Sequence, residues 1–501
     1  MFDAERPCHF ITPGYLASAG EGIAVTDPAT LGHVGVRATT TEAELDHALT
    51  IVNAAQAGWA QLDAKSRAAA LHRLASRIER EDFTACAILM SREMGKVYPD
   101  AIGELANCAP VFRYFAEMAR DEAGKVAGST QAGSFQYARY EPLGVSVHIM
   151  PFNFPILLMC WTVAASLAAG NGCVIKPAEA TTLCTLDFAR VFDVLPAGLV
   201  AVLPGGADLG RALVDSDRTH AVAFTGSVAG ARAVAAAAGA RLKPAVIEGG
   251  GSDPMIIAAS APLDVAAAGA VTGAFHMTGQ VCTSTERLYV VEALHDAFVA
   301  EFVQQTRALR VGNGLEKSEI GPLVSKAARD KVIRLVADAV AKGATVVCGG
   351  TIPADAGPGW FYAPTILTGC TPEMDILHEE CFGPVAAITR VADFDAAIAA
   401  ANASTFGLGA AIFTASLEEA MEATDRLQAG MVWVNNPMID NDALPFGGWK
   451  ASGIGRELGR QGLDSFRRTK MVIMDHKPVR QGWWYPYPDD WFLDAGGRKH
   501  V

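Results

Sequence analysis

Residues 145–176 read VSVHIMPFNFPILLMCWTVAASLAAGNGCVIK, and this stretch decides the fold. Two short apolar runs, 145–149 and 172–176, have the composition of strands, and the apolar stretch between them is predicted as a helix over 155–169. A strand, a helix and a second strand in this order predict a parallel βαβ unit. The helical stretch is shorter than the roughly 20 apolar residues that a bilayer requires, so we interpret it as a buried helix and expect no membrane span.

The alternation of strands and helices continues to residue 258 and predicts a Rossmann-like parallel sheet, the architecture of α/β domains that bind nucleotide cofactors. A second alternating series begins at residue 262 and predicts a second α/β domain with its own sheet. Before residue 134 the pattern is helical from Thr41 onward, and residues 1–40 allow no assignment. The predicted strands are 145–149, 172–176, 199–203, 220–224, 244–248, 255–258, 286–291, 344–348, 385–391, 409–413 and 431–435, and the predicted helices include about 65–80, 81–95, 98–119, 155–169, 181–193, 207–215, 227–239, 262–276, 293–310, 324–342, 393–402 and 417–428.

The composition predicts an enzyme of two or three domains, because the chain has 501 residues of which 50% are hydrophobic and 19% are charged. A net charge of −13 argues against nucleic acid or an anionic membrane as the main partner. The ten cysteines lack C-x-x-C pairing and the density of a disulfide scaffold, and the first residues lack a signal-peptide pattern. We therefore expect a cytoplasmic protein.

Cys282 lies in the stretch FHMTGQVCTSTER at 275–287 and is the candidate nucleophile. A thiol attacks as the thiolate, so it needs a base or an environment that lowers its pKa. Gly279 allows close backbone approach, and the small hydroxyl residues after the cysteine suit a turn whose N–H groups point at the sulfur, where an oxyanion would need donors. The alternative is a buried structural cysteine, and these residues alone leave both readings open.

Two further residues carry groups that such a thiol would need. Glu248 ends a predicted strand and precedes three glycines, so water can approach its carboxylate, which could act as a general base; the alternative is a solvated strand end. Asn153 lies between a predicted strand and a predicted helix. Its amide could donate to an oxyanion, but its position alone favours capping of the helix.

Candidates for cofactor binding follow two predicted strands, at the edge where open parallel sheets bind ligands. Lys176 and Glu179 could hold a ribose between a donor and an acceptor, and the alternative is a solvated turn. The turn FTGS at 224–227 opens a helix whose N-terminus could receive a pyrophosphate. The G-x-G-x-x-G pattern is absent, and a turn capped by Ser227 is the alternative.

Two more motifs, ECFGP at 380–384 and the glycine-dense loop PFGGWKASGIGRE at 445–457, complete a set that resembles the aldehyde dehydrogenase superfamily from about residue 20 to 475. The chain departs from the family motifs in three places: Met277 stands where asparagine is usual, Gly249 and Ser252 replace a leucine and a lysine, and Ala231 replaces a glycine. None of these changes removes a group that the family's chemistry requires.

The resemblance implies an NAD-binding domain over 1–133 and 148–250, a catalytic α/β domain over 251–465, and a small β oligomerisation element over 134–147 and 466–501 that includes a C-terminal extension. It implies Cys282 as the nucleophile, Glu248 as the general base, and Asn153 with the Cys282 backbone N–H as the oxyanion hole. The implied cofactor-binding residues are Lys176, Glu179, Phe224, Gly226, Ser227, Glu380 and Phe382. A carboxylate at position 179 accepts from the 2′-hydroxyl of NAD and repels the 2′-phosphate of NADP, so the predicted cofactor is NAD, with NADP less favoured.

The implied reaction is oxidation of an aldehyde to its acid through a thiohemiacetal and a thioester on Cys282, with hydrolysis by water that Glu248 activates. The substrate pocket is expected at Phe154, Trp161, His276, Asp440 and Phe446. Asp440 could favour a cationic or hydroxylated aldehyde, or it could belong to a solvated loop. The expected partners are the aldehyde and further copies of the chain in a homodimer or homotetramer, with the aromatic cluster at 483–487 as a subunit contact.

The residues of the site disfavour two alternative functions. An acylating dehydrogenase that passes the acyl group to coenzyme A is disfavoured by Glu248, because thiolysis does not need a base that activates water. A non-catalytic NAD-binding structural protein is disfavoured because such a protein has no physical need for Cys282, Glu248 and Asn153 together.

Overall fold

The structure is a computed structural model that describes residues 2–121, 123–493 and 495–497. The chain divides into two compact units, one formed by Met1–Asp121 with Pro142–Arg467 and the other by Glu122–Glu141 with Arg468–Val501. The strands are β1 (Cys8–Ile11), β2 (Gly14–Ala17), β3 (Gly22–Thr26), β4 (His33–Ala38), β5 (Gly124–Ala127), β6 (Ser134–Pro142), β7 (Val145–Ile149), β8 (Gly172–Lys176), β9 (Val200–Val202), β10 (Ala221–Thr225), β11 (Ala245–Glu248), β12 (Asp253–Ile257), β13 (Thr285–Val291), β14 (Thr345–Cys348), β15 (Thr365–Thr368), β16 (Val385–Val391), β17 (Gly409–Phe413), β18 (Met431–Val434), β19 (Gly453–Ile454) and β20 (Arg467–Asp475).

The α-helices lie between these strands and cover the two large sheets. They are α1 (Glu42–Ala60), α2 (Ala64–Glu79), α3 (Thr84–Met94), α4 (Tyr98–Ala106), α5 (Cys108–Met118), α6 (Leu157–Ala169), α7 (Thr182–Ala189), α8 (Ala207–Asp215), α9 (Val228–Ala240), α10 (Leu263–Phe275), α11 (His295–Thr306), α12 (Lys326–Ala341), α13 (Phe394–Asn402), α14 (Leu417–Arg426) and α15 (Gly459–Asp464).

The first large sheet has the strand order β19-β11-β10-β7-β8-β9-β1-β2. Its central strands are parallel: Val145 of β7 is paired with Gly172 of β8, and β10 is parallel to both β7 and β11. Helix α6 between β7 and β8 is buried along its whole length, so the predicted βαβ unit is confirmed. Because the strands are parallel, the residues that follow β7, β8, β10 and β11 meet at one edge of the sheet.

The second large sheet has the order β14-β15-β16-β13-β12-β17-β18 and is parallel except for β14. Strand β13 lies at its centre between β16 and β12, and the apolar residues of α10 and α11 pack against one face. The predicted α/β fold with two sheets is therefore confirmed. The boundaries predicted at residues 250 and 465 between cofactor-binding and catalytic domains stay predictions.

One helical prediction differs from the structure, and the start of another helix agrees with it. The helix predicted over 98–119 is two helices, α4 and α5, that meet at Asn107. Pro110 explains the break, because proline has no N–H and its ring clashes with the carbonyl four residues earlier. The capping of α1 follows the sequence: Thr41 accepts from the Glu44 N–H, and the Glu44 carboxylate accepts from the Thr41 N–H, which is a capping box.

The sequence pattern missed several short strands. The first forty residues form β1 to β4, and β15 was not predicted. Strand β6 extends to Glu141 and Pro142 and ends two residues before β7 begins. The glycine-dense loop contains β19, whose residues Gly453 and Ile454 pair with Glu248 and Ile247 at the edge of the first sheet.

The second unit contains a three-stranded sheet in the order β20-β6-β5. None of its described residues belongs to a buried hydrophobic cluster. Strands β6 and β20 lie within the segments 134–147 and 466–501, which the sequence assigned to an oligomerisation element. Strand β5 lies before the first of these segments and was not predicted. Throughout residues 2–121, 123–493 and 495–497, no helix is both long and apolar enough to cross a membrane.

Candidate active site

Cys282 lies in the turn that precedes β13, and its side chain is buried, with 8% of the residue exposed. The backbone just before it is strained: Met277, Thr278 and Gly279 have φ angles of 50°, 62° and 69°. Residues in this left-handed region cost energy and persist only where the surroundings hold them. Thr278 donates to the Gly321 carbonyl at 3.1 Å, and a Cβ on Gly279 would lie 2.2 Å from the Gly383 carbonyl oxygen. The loop before the thiol is therefore fixed by close contacts.

Glu248 ends β11 and is buried beside this turn. Its Oε1 accepts from the Gly250 N–H at 3.1 Å. The residue after that, Gly251, approaches the cysteine so closely that a Cβ there would lie 2.5 Å from the Cys282 carbonyl oxygen. Burial raises the pKa of the Cys282 thiol well above its usual value, and the Glu248 carboxylate raises it further. The two groups therefore interact electrostatically in a desolvated cleft.

Two more carboxyls lie close to Glu248, and sequence reasoning gave one of them, Glu457, no role. Burial raises the pKa of Glu457 and of Glu380 to about 8 each. Burial also raises the pKa of Glu248 well above its usual value, and among nearby charges the Glu457 carboxylate contributes most, followed by the Glu380 carboxylate. Because their folded-state pKa values lie above the usual glutamate value of 4.5, Glu457 and Glu380 make folding less favourable as pH rises from about 4.5 to about 8.

Glu380 is held in place by neighbouring backbone. Its Oε1 accepts from the Gly251 N–H at 3.0 Å, and Gly250, with φ of +80°, leaves room for it, since a Cβ at Gly250 would lie 2.4 Å from Oε1. Glu286, which sequence reasoning missed, accepts from the N–H groups of Cys381 and Phe382 at 2.9 and 2.7 Å. These bonds fix the segment that carries both Glu380 and Phe382.

Asn153 is buried between β7 and α6, but it does not cap the helix. Helix α6 begins at Leu157 with Ile156 in the capping position, and that residue makes no side-chain cap. The alternative that Asn153 caps α6 is therefore wrong. A residue that sequence reasoning missed, Glu104 of α4, accepts from the N–H groups of Ile156 and Leu157 at 2.8 and 3.0 Å.

Lys176 lies at the carboxyl end of β8, and burial lowers its pKa to about 8. Its Nζ donates to the carbonyl oxygens of Pro177 and Gly205, each at 3.0 Å. The side chain of Glu179 is 55% exposed and accepts at 2.7 Å from Arg37 of β4, which no sequence pattern had pointed to. Lysine, glutamate and arginine thus lie together at the edge where the parallel strands end.

The turn after β10 has the predicted arrangement. Ser227 caps α9, because its hydroxyl accepts from the Gly230 N–H at 3.2 Å. The ring of Phe224 covers the turn so closely that a Cβ at Gly226 or Gly230 would lie 2.8 Å from it. The N-terminus of α9 is thus ordered at the same sheet edge as Lys176.

A cavity of about 370 Å³ opens at the thiol. It is lined by all five residues predicted for the substrate pocket together with the nucleophile candidate: Phe154, Trp161, His276, Asp440, Phe446 and Cys282. The rings of Trp161 and Phe446 lie 4.9 Å apart between centroids. Burial raises the pKa of Asp440, and a second carboxyl that sequence reasoning missed, Asp100, lies 3.8 Å from His276 Nδ1. The pocket is therefore aromatic with acidic groups in its wall.

A parallel sheet with polar groups at its strand ends, a cavity that ends at a buried thiol and a buried carboxyl near that thiol together form the arrangement of a nucleotide-dependent enzyme with a cysteine nucleophile. The aldehyde dehydrogenase family matches residues 15–472. The chain therefore belongs to the aldehyde dehydrogenase family, and the predicted family, fold class and enzyme class are confirmed.

Individual relatives agree with this assignment. A betaine aldehyde dehydrogenase of Brucella melitensis is 36% identical over 477 residues, which are 94% of this chain and 97% of the relative. A crystal structure of a betaine aldehyde dehydrogenase point mutant from Staphylococcus aureus, in complex with NAD+, is similar with a TM-score of 0.92 at 28% identity, covering 96% of this chain and 100% of that one. An NADP-dependent enzyme of Escherichia coli is similar with a TM-score of 0.90 at 32% identity, covering 94% of this chain and 98% of that one.

The carboxyl cluster gives a prediction for the pH dependence of activity. Replacing Glu457 by Gln removes the charge that most raises the pKa of Glu248, so Glu248 should ionise at lower pH. The acid limb of the profile of kcat against pH should move to lower pH. The measurement is steady-state kcat across pH 5–10, with Glu422→Gln, an exposed carboxylate on α14, as the control. A limb that stays in place or moves to higher pH would contradict the assignment.

Proposed function

We propose that this chain oxidises an aldehyde to its carboxylic acid with NAD as the hydride acceptor, and that Cys282 and Glu248 carry the chemistry. The observation that supports this most directly is the shared desolvated cleft, in which the thiol ends a substrate-sized cavity and the carboxyl lies beside it. A carboxyl whose pKa is raised by burial can act as a base near neutral pH, and a thiol at the end of the cavity is placed to meet an aldehyde carbonyl.

The first step is attack of the Cys282 sulfur on the aldehyde carbonyl, after the thiol proton passes to a base. A carbon–sulfur bond forms, and the carbonyl oxygen takes up the electron pair. The amide of Asn153 and the backbone N–H of Cys282 donate to that oxygen, which is how an oxyanion hole lowers the barrier. Removing one such donor typically costs about 10²–10³ in kcat.

The edge of the first sheet fits a dinucleotide. Lys176 and Glu179 offer a donor and an acceptor for a ribose, the N-terminus of α9 at Ser227 can receive a pyrophosphate, and Phe224 and Gly226 form the turn before it. Glu380 and Phe382 would hold the nicotinamide side. When bound there, NAD accepts the hydride that leaves the tetrahedral adduct, so that a thioester remains on Cys282.

Hydrolysis of the thioester is assigned to Glu248. Its carboxylate takes a proton from water, the resulting hydroxide adds to the thioester carbon, and the carbon–sulfur bond breaks to release the acid. The raised pKa of Glu248 suits a base that works near neutral pH. A coenzyme A-dependent enzyme would have no use for this group beside the thiol, which favours hydrolysis over acyl transfer.

The substrate we propose is a small aldehyde that carries a cationic head group, such as betaine aldehyde. Relatives with that activity in their names are 36% identical over nearly the full chain. In this chain the faces of Trp161 and Phe446 can attract a cation, and Asp440 and Asp100 add negative charge to the same cavity. The pocket wall thus favours a positive head group over a carboxylate.

The activity test is NADH formation, followed by absorbance, with betaine aldehyde and with a panel of aliphatic, aromatic, amino and semialdehyde substrates. Betaine aldehyde or an amino aldehyde should have the highest kcat/KM, and Cys282→Ala should be inactive. Glu248→Gln should release about one NADH per site in a rapid burst and then turn over slowly, because the thioester accumulates.

Three other results would contradict parts of this proposal. A wild-type chain that binds NAD tightly but oxidises none of the aldehydes would support the non-catalytic alternative. Turnover that depends on added coenzyme A would support the acylating alternative. A Glu248→Gln variant with an unchanged burst and an unchanged steady-state rate would remove Glu248 from the hydrolytic step.

Cofactor choice is assigned to Glu179, and Arg37 makes this testable. In the wild-type chain the Glu179 carboxylate forms an ion pair with Arg37 and would repel a 2′-phosphate. Glu179→Gln removes the negative charge and leaves Arg37 available to the phosphate, so the ratio of kcat/KM for NAD over NADP should fall by roughly tenfold or more, the equivalent of about 1.4 kcal/mol. Glu422→Gln, which also faces an arginine, is the matched control. An unchanged ratio would remove Glu179 from cofactor selection.

We propose that the second unit joins copies of the chain into a homo-oligomer. Its sheet lacks a buried core among the described residues, and the edge strand β20 exposes Met471, Ile473 and Met474. An exposed apolar edge strand usually pairs with another chain. Trp483, Trp484 and Tyr485, which belong to the same unit, are also exposed. The cytoplasmic location expected from the sequence stays a prediction.

Positive charge introduced on β20 should dissociate the oligomer. Met471→Lys together with Ile473→Lys should reduce the mass measured by light scattering after size-exclusion chromatography to that of a smaller assembly or a single chain. Met421→Lys, which places the same charge on an exposed apolar position of α14, should leave the mass unchanged. If both variants keep the wild-type mass, β20 is not part of the interface.

A further inference from the structure

The N-terminus of α6 is held by a residue from another helix. Leu158 N–H is bonded to the Phe154 carbonyl, but the N–H groups of Ile156 and Leu157 have no cap from their own segment. Both donate instead to one oxygen of Glu104, at 2.8 and 3.0 Å. A carboxylate at this end of a helix also interacts favourably with the helix dipole. Glu104 therefore does for α6 what an N-cap residue does for other helices.

The other oxygen of Glu104 forms an ion pair with Lys96, and both side chains are completely buried. Lys96 Nζ also lies 4.3 Å from the centroid of the Phe154 ring, within the range of a cation–π contact. A buried ion pair recovers little of its desolvation cost, so stability alone does not explain it. What the pair does accomplish is geometric, because it contacts the chain at Phe154, at Ile156 and at Leu157.

Asn153 immediately precedes these three contacts. We propose that the Lys96–Glu104 ion pair is a positioning device that holds residues 153–157, and thereby the Asn153 amide and the Phe154 wall of the cavity, in the geometry that oxyanion stabilisation requires. This inference rests on the proposed function. Lys96 and Glu104 are positioning residues rather than catalytic residues, since they act through Asn153 and Phe154.

The local sequence explains how Lys96 reaches this place. Helix α3 ends at Gly95, whose φ of +88° lets the chain reverse direction. A Cβ there would lie 2.6 Å from the ring of Pro322, so a larger residue would displace the turn. Lys96 follows directly, and α4 begins two residues later and brings Glu104 back to it. Both partners thus come from one short helix–turn–helix segment.

Small errors in this geometry should be costly, because displacement of a catalytic group by about 1 Å can reduce the rate by roughly 10²-fold. We expect Glu104→Ala to lower kcat by roughly 10- to 100-fold while KM for the aldehyde changes by less than about threefold. Asn153→Ala should lower kcat by about 10²–10³. The double variant should be no slower than Asn153→Ala alone, because the amide that Glu104 positions is already absent.

Glu93 supplies a matched control. It is buried like Glu104, and it accepts from the N–H groups of Leu183 and Cys184 at 2.8 and 2.7 Å in the first turn of α7. If buried capping alone mattered, Glu93→Ala and Glu104→Ala would behave alike. We expect the loss from Glu93→Ala to multiply with that from Asn153→Ala, whereas the loss from Glu104→Ala does not. Multiplying losses for Glu104, or an unchanged kcat, would overturn the proposal.

Two further measurements keep the test decisive. Hydrogen exchange of the amides at 156–157 should accelerate by roughly tenfold or more in Glu104→Ala, and this reading does not depend on activity. If the wild-type chain oxidises no aldehyde, the proposed function fails, and exchange alone decides whether Glu104 holds the turn. If Glu104→Ala does not fold, Lys96→Gln with Glu104→Gln removes both buried charges and keeps an acceptor, and the same cycle with Asn153→Ala applies.

Discussion

Loss of solvation at the meeting point of the two sheets is the physical constraint on which this site depends. Glu248, Glu457 and the Cys282 thiol are buried in a volume from which water is largely excluded, and Glu380 is half-buried beside them. In water the three carboxyls would be ionised near neutral pH and the thiol would be largely neutral, and burial shifts all four groups toward their neutral forms. A raised pKa suits a carboxylate that acts as a base near neutral pH. The cost is a fold that becomes less stable as the carboxyls ionise.

The close packing of these side chains depends on backbone conformations and close approaches that few residue types allow. Gly250 and Gly251 bring the loop after β11 against Glu380 on one side and Cys282 on the other, at distances where any side chain would collide. On the opposite wall, Met277 and Thr278 adopt the left-handed region although they are not glycines. Strain of this kind, of order 1–3 kcal/mol per residue, is stored where the surrounding packing over-determines the chain. The thiol is thus presented by a loop that cannot easily relax.

Sequence reasoning reached the parts of the site that lie next to strand ends. Lys176 and Glu248 end β8 and β11, and Ser227 follows β10, and a parallel sheet necessarily brings such residues to one edge. It failed where the partner is remote along the chain. Arg37 reaches Glu179 across 142 positions, and no periodicity in either segment marks this contact. The short strands of residues 8–38 were missed for a related reason, since β1 is stabilised by pairing with β9 far along the chain rather than by its own pattern.

Three of the residues that the sequence did not indicate share a single physical role. Glu104, Glu93 and Glu286 are buried carboxyls, and each accepts from two successive backbone N–H groups of a distant segment. The segments they hold carry or adjoin Asn153, Glu179, and Glu380 with Phe382. Backbone donors at a helix start or a tight turn must be satisfied when they are buried, and a carboxylate satisfies two at once while fixing their direction. The candidate catalytic and cofactor groups are therefore attached to backbone whose N–H groups are hydrogen-bonded to buried carboxyls. These hydrogen bonds explain how polar loops can hold a precise geometry between two sheets.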